Sequence, residues 1–334
     1  MTQLADIVKA LSNPKAYPET TRRVEMVQTQ MSIIFLTDNF VYKIKKAVNL
    51  GYLDYTTLEN RKHFCEQEVK LNRRLCGDAY LGILPITSEC GGIVLGGKGK
   101  AIEYTVKMRK LPTDRMMDVL LAKNQVTPEM IARVAEKVAE FHTKAENTPD
   151  IGKFGTIEII TFTTEENFSQ TESYIGRTIS RAQYQRISKY TRDFIRNKAA
   201  LLRKRVADGK IKDCHGDLHA QHICFTDGIC IYDCIEFNDR LRYGDVAGDV
   251  SFLAMDVDRW GHRELSNQFV SAYIAKSGDK ELTELLSFYK CYRAYVRGKV
   301  NGFKLDAPLV SAEDKKKALK EAKEYFALAE SYTE

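Results

Sequence analysis

The sequence predicts an α+β protein of two lobes, a small antiparallel-sheet lobe over residues 1–108 and a larger, mainly helical lobe over residues 109–334. Three observations carry this expectation. Short β-like runs bounded by turn residues fill most of the first 108 positions, whereas from Thr127 onward apolar residues recur with the 3.6-residue period of helices. The helical part is interrupted by one compact stretch, residues 214–237, which is apolar and rich in Cys, His and Asp. Finally, 334 residues at 44% hydrophobic are enough for one large or two modest buried cores, which excludes intrinsic disorder.

Taken in order, 2–11 (Thr2 to Leu11) reads as a short helix stopped by Ser12, Asn13 and Pro14. Two β-like stretches follow, Met31 to Leu36 and Phe40 to Lys45, hinged at Asp38 and Asn39 as a hairpin. Leu58 to Leu75 is charged with apolar residues at helical spacing, and Tyr80 to Thr87, Gly92 to Leu95 and Ala101 to Met108 read as three more strands. Helices are expected at Glu129 to Ala145, Gln183 to Ala207, Glu264 to Lys276, Glu281 to Phe303 and Ala312 to Tyr332. Within the compact exception, Asp227-Gly228 is a strong two-residue turn signal. Such a turn pairs Thr226 with Ile229 and Ile223 with Tyr232, so that His222 faces Asp233.

Composition narrows the function classes. The longest apolar run, Met31 to Leu36, falls far short of the roughly 18 residues a membrane helix needs, and the first thirty residues are polar with several acids, so neither a span nor a secretion signal is expected. A net charge of +6 is too mild to mark a nucleic-acid protein. Residues 177–212 do concentrate twelve Lys or Arg against Asp193 and Asp208. This segment is either a set of solvated helix faces or a contact for an anionic substrate or partner. Only Tyr184, Tyr190 and Phe194 interleave it, which argues against single-stranded nucleic acid. The eight cysteines, at 65, 76, 90, 214, 224, 230, 234 and 291, read as reduced thiols of a cytoplasmic protein.

The chemistry concentrates in "CHGDLHAQHICFTDGICIYDCIEF". Directly opposed residues of a hairpin have Cβ atoms about 4.5–5.5 Å apart, so His222 and Asp233 could reach one cation, with Asp217 in the preceding loop as a candidate base. The plainer alternative is that these polar residues only cap a hairpin. The order of parts matches a phosphoryl-transfer loop: an Asp that accepts a hydroxyl proton, a metal ligand five residues on, and a second metal-binding Asp after a short hairpin.

The H-G-D-L-H string at His215 to His219 resembles the aminoglycoside phosphotransferase-like family of the protein-kinase-like superfamily, and G-D-V-A-G-D-V at 244–250 resembles the acidic motif that follows there. "YKIKK" and "LNRRL" extend the resemblance over most of the chain. It implies a two-lobed protein-kinase-like fold, ATP as phosphoryl donor with Mg2+ or Mn2+, a small-molecule hydroxyl as acceptor, and a hinge near 107–112. By the same resemblance Lys43, with Lys45 as the alternative on the same strand face, would hold the nucleotide phosphates. Glu68, or else Glu66, would hold that lysine. Asp217 would orient or deprotonate the acceptor hydroxyl, Asp233 and His222 would bind metal, Asp249 would brace the loop, and His215 and His219 would shape it. Glu236 would add a carboxylate to the metal cluster or cap the strand.

Two departures from the family pattern stand out. His222 replaces an asparagine, and an imidazole suits manganese or zinc better than magnesium. The first hairpin has no glycine to wrap over phosphates, which leaves Thr29, Gln30 or Ser32 as contacts. "GGIVLGGKGK" has Walker-like spacing but ends in glycine where Ser or Thr should follow, and reads as a hairpin turn. Two rival functions remain: a zinc hydrolase with His215, His219 and His222 on a helix, and a kinase-shaped module that binds nucleotide or an anion without catalysis.

Overall fold

The computed structural model describes residues 4–89, 92–308 and 310–334, so Thr2 and Cys90 lie outside the described residues. The chain forms two compact units, one made of the residues up to Met116 together with His222–Asp239, the other of Met117–Gln221 with Arg240–Glu334.

The first unit begins with helix α1 (Leu4–Leu11) and continues through strands β1 (Glu25–Gln28), β2 (Ser32–Leu36) and β3 (Phe40–Lys45), helix α2 (Leu58–Cys76), and strands β4 (Tyr80–Glu89), β5 (Gly92–Leu95) and β6 (Lys100–Arg109). The six strands make one antiparallel sheet in the order β1-β2-β3-β6-β4-β5. Period-two alternation divides β3 between two faces. Tyr42 and Ile44 enter a core with Ile7 and Leu11 of α1, Ile33, Phe35 and Ile86, each such burial being worth about 1.5–3 kcal/mol. Lys43 and Lys45 therefore point to the opposite face. There α2, capped by the Thr57 hydroxyl accepting the Asn60 N–H at 3.0 Å, buries Cys65, Glu68, Val69, Asn72 and Cys76 along one helical stripe. Two polar residues in a buried stripe, Glu68 and Asn72, are the anomaly that positions the site.

Four expectations for this unit need correction. β1 was not foreseen, because all four of its residues are exposed on a sheet edge and so show no alternation. The Gly96–Gly99 segment is not a hairpin turn: β5 and β6 both pair with β4 and lie on either side of it, so the glycines form a crossover. The hairpin after the His215–His219 loop is slipped by one residue, pairing Ile223 with Ile231, Cys224 with Cys230 and Phe225 with Ile229. A two-residue primed turn needs positive φ, which neither Asp227 nor Gly228 adopts; instead Thr226 joins the loop and its hydroxyl accepts the Gly228 N–H at 3.3 Å. His222 then lies opposite Tyr232, whose N–H donates to the His222 carbonyl at 3.0 Å. Last, not every cysteine is a thiol: Cys76 at the end of α2 is disulfide-bonded to Cys230 of the hairpin, with Cα atoms 4.6 Å apart, a pairing that a sequence separation of 154 conceals. Cys65, Cys214, Cys224, Cys234 and Cys291 remain thiols.

The second unit is mainly helical, with one two-stranded ladder joining Ile211–Asp213 to Tyr243–Asp245. Its core gathers Phe168, Ile187, Phe252, Met255, Tyr295, Tyr325 and Phe326 from five helices. The helix Val246–Arg259 escaped the periodicity test because Val246 to Val257 are all buried, leaving no polar face to generate a period. Ile157–Thr171 escaped it through its Ile- and Thr-rich start, where β-branched residues lower helix propensity. The single helix expected over 183–207 is two, Arg181–Asn197 and Ala199–Ala207, broken at Lys198. Among the described residues, no helix is long and apolar enough to cross a membrane.

About half of the basic residues of segment 177–212 are ion-paired with acids from other elements. Arg177 meets Asp306, Arg186 meets Glu330, Arg192 meets Glu165, Lys198 meets Glu284, Lys204 meets Glu281, and the fully buried Arg205 clasps Asp245 and Asp279. Its local excess of positive charge is thus partly matched in the fold.

Candidate active-site residues

In the first unit, two lysines share one glutamate. Lys43 Nζ lies 2.9 Å from Glu68 Oε1 and 2.9 Å from Asp233 Oδ1, while Lys45 Nζ lies 2.7 Å from Glu68 Oε2 and also bonds Glu236 Oε1. The Tyr55 hydroxyl donates to Glu236 Oε1 at 2.8 Å. Burial opposes the charge on Lys43, but the carboxylates of Asp233, Glu68 and Glu236 outweigh it and hold the ammonium well above the ordinary lysine value. Lys45 is held the same way against burial, by Glu236 and Glu68. Burial would raise Glu68, yet Lys43 and Lys45 keep its carboxyl below the usual range. Lys43 and Lys45 therefore stay protonated and Glu68 ionised. Lys45, with 1% of its side chain exposed, is sealed inside it; Lys43, at 15%, keeps an opening.

Asp233 stands outside the hairpin ladder with φ 61°, a left-handed conformation that costs a non-glycine residue about 1–3 kcal/mol. Its main chain is held from α2 and β4: the Asp233 N–H donates to the Tyr80 hydroxyl at 3.3 Å and the Cys234 N–H to Asn72 Oδ1 at 2.8 Å. Burial, with Glu68 and Asp233 adding to it, pushes the Tyr80 phenol well up, so it remains neutral as that acceptor. This turn brings Asp233 Oδ2 to 3.5 Å from His222 Nε2, although the two are not opposed in the ladder. Donors on one cation with bonds of about 2.0–2.2 Å lie about 3.0–3.5 Å apart, so the imidazole and carboxylate fit a shared divalent ion. Glu236, expected beside them, turns its buried carboxylate to Lys45 and Tyr55.

In the second unit, the loop around Asp217 is fixed by its main chain. Asp249 Oδ2 accepts the His215 N–H at 2.7 Å and Oδ1 accepts the Gly216 N–H at 3.0 Å. Gly216 takes φ 85°, which favours a residue without Cβ and breaks any helix through His215, His219 and His222 that a zinc hydrolase would require. Asp256 Oδ2 accepts the Ala220 N–H at 2.9 Å. The Asp217 N–H donates to His215 Nδ1 at 3.3 Å, and Asp217 Oδ2 lies 3.4 Å from His219 Nε2. About a third of the Asp217 side chain is exposed, whereas His215 and His219 are buried.

Asp249 sits in the first turn of Val246–Arg259, where helix N–H groups favour an anion. Burial would raise its carboxyl; the hydrogen bond and charge of His142, then His215 and Arg293, bring it down to about 2. His142 Nε2 lies 3.3 Å from Asp249 Oδ2 while Nδ1 lies 2.8 Å from the Tyr273 hydroxyl. Sequence reasoning missed this histidine, which reads as an ordinary core residue. It also missed Arg293 and Arg297, whose i, i+4 spacing on Leu282–Phe303 was the available signal.

A small curled antiparallel sheet bearing a Lys–Glu pair and a large helical unit bearing an Asp-centred loop define a two-lobed protein-kinase-like fold. The chain belongs to the phosphotransferase enzyme family, whose model matches residues 117–285. Over 98% of each chain it is similar to a choline/ethanolamine kinase family protein of Mesorhizobium loti, with TM-score 0.55 and 13% identity. Over 97% of this chain and 98% of the other it is similar to a candidate aminoglycoside phosphotransferase of Ralstonia eutropha JMP134, with TM-score 0.52 and 12% identity. These two likenesses establish the fold. Uncharacterized proteins of Mycobacterium tuberculosis and Mycobacterium bovis are 30% identical to it over 287 residues, 85% of this chain and 56% of theirs. The chain thus spans about half the length of the curated relatives it matches.

Proposed function

We propose that the protein is an ATP-dependent phosphotransferase that moves the γ-phosphoryl group to a hydroxyl of a small molecule. The observation that supports this best is the double pairing of Lys43, with Glu68 on one side and Asp233 on the other. A strand lysine oriented by a helix glutamate and placed beside a metal-binding aspartate is the arrangement that phosphoryl transfer requires. In this reading Lys43 holds the nucleotide phosphates, and Lys45, Glu236 and Tyr55 keep Glu68 in position. Asp233 and His222 would hold a divalent cation, magnesium or manganese, which when bound neutralises charge on the phosphoryl oxygens. Asp217 orients the acceptor hydroxyl and takes its proton, with no covalent enzyme intermediate; His215, His219, His142 and Asp249 fix its loop.

The test is Asp217→Asn. Phosphoryl transfer should fall about 10²- to 10⁴-fold. Nucleotide-dependent thermal stabilisation, measured with each metal, should persist. Equal slow ATP turnover by wild type and variant, with no phosphorylated product from a metabolite pool, would reduce the protein to a nucleotide-binding module.

A further inference from the structure

Arg297 enters the surroundings of Asp217 from the helix Leu282–Phe303. Its Nη1 lies 3.4 Å from His219 Nε2, the same nitrogen that lies 3.4 Å from Asp217 Oδ2. The other charged groups packed against this loop already have protein partners. Arg293, one turn earlier, donates from Nη1 to the Gly216 carbonyl at 3.0 Å and from Nε to the Gly248 carbonyl at 3.2 Å. Asp249 holds the His215 and Gly216 amides. Asp256 accepts from the Ala220 amide and, at 3.4 Å, from the Tyr325 hydroxyl. Arg297 differs from all three. Its guanidinium meets His219 Nε2, bonds the Tyr325 side chain with its ring centre 5.7 Å away, and stands in the field of Asp217 and Asp256; its two hydrogen-bonding neighbours cannot engage five N–H donors.

A half-buried arginine with donors to spare, beside the carboxylate that receives the proton, matches an oxyanion on the acceptor. We propose that the acceptor is an anionic hydroxyl compound whose carboxylate or phosphate group is bound by Arg297 while its hydroxyl is presented to Asp217. This rests on the phosphotransferase reading above. In the transfer the acceptor oxygen bonds to the γ-phosphorus and the bond from that phosphorus to the β,γ-bridging oxygen breaks. ADP leaves with the electron pair, and the hydroxyl proton passes to Asp217. An amino-alcohol acceptor would instead bring positive charge against Arg297, while Asp249 and Asp256, which could offset it, are already bonded to the loop.

The experiment measures kcat/KM with ATP for matched acceptors: glycerate against glyceramide, gluconate against sorbitol, ribose 5-phosphate against ribose, with ethanolamine and glucosamine as cations. Product is followed by phosphorus NMR. Wild type should prefer an anionic member over its neutral partner about 10- to 100-fold, the size of one charge-assisted hydrogen bond. Arg297→Gln should bring that ratio close to one through acceptor KM, and Arg297→Lys, which keeps the charge, should recover part of it. A purely structural arginine would lower both members of a pair alike, and an unchanged ratio would overturn the proposal. So would turnover of the cationic acceptors by wild type, or no stimulation by any anionic acceptor while ATP hydrolysis dependent on Asp217 continues. Absence of both nucleotide-dependent stabilisation and ATP hydrolysis would instead defeat the phosphotransferase reading itself.

Discussion

Lys43 and Lys45 share a strand face and a glutamate, and burial separates their roles. Lys45 has its ammonium enclosed by Glu68, Glu236 and Tyr55, so its removal leaves two buried carboxylates short of a cation. We expect Lys45→Met to destabilise the protein by about 3–5 kcal/mol in urea denaturation. Lys43→Ala, at the more open position, should instead weaken ATP binding at least tenfold, read by calorimetry, with a smaller loss of stability. A stable Lys45→Met that no longer binds ATP, beside a Lys43→Ala that does, would reverse the assignment. At the proposed metal-binding pair, His222→Asn replaces an imidazole whose Nε2 lies 3.5 Å from Asp233 Oδ2 with a shorter side chain bearing an amide oxygen. Magnesium-supported turnover should then rise severalfold relative to manganese, since oxygen donors suit the harder ion. An unchanged ratio of the two would show that His222 does not touch the metal.

The helix Val246–Arg259 holds both a buried ion pair and the loop of Asp217. Asp245 caps it, accepting the Ala247 N–H at 2.9 Å and holding the buried Arg205, and Asp249 one turn later holds the loop of Asp217. The folded pKa of Asp249, about 2, lies below its ordinary 3.8. The stabilisation is therefore present above about pH 4 and is lost as pH falls toward 2. Its size is about 2 kcal/mol. Asp249→Asn should lower stability at pH 7, and the gap to wild type should narrow steadily below pH 4 in denaturation curves. A gap that stays constant from pH 7 to pH 2.5 would remove Asp249 from this role. This helix was invisible to periodicity, and only the G-D-V-A-G-D-V motif within it was legible in advance.

At the scale of the molecule, the strand and helix boundaries that alternate or cycle cleanly were readable: α2 was expected at Leu58 to Leu75 and spans Leu58–Cys76, and β5 was placed residue for residue. The basic segment was readable only as composition. About half of its arginines and lysines reach acids on other elements, up to 144 positions away as Arg186 does with Glu330, so the field it offers an anion is partly met by the fold. In the proposal above, the positive charge that bears on the acceptor is instead Arg297, a single arginine of a later helix.

The sequence by itself determined the chemical inventory and its local order: the loop from His215 to His219, the aspartates at 217, 233 and 249, a lysine pair on a strand and a glutamate on the helix after it. These are properties of residue type and short spacing, which turn geometry and helical or strand period translate directly. The tertiary structure alone decided the partners. Glu236 goes to Lys45 across 191 positions, Lys43 to Asp233 across 190, Cys76 to Cys230 across 154, and Arg297 to His219 across 78. Such pairings depend on which faces the cores press together and on a one-residue slip at Thr226 that frees Asp233 from its ladder, and packing of distant segments leaves no local period to read.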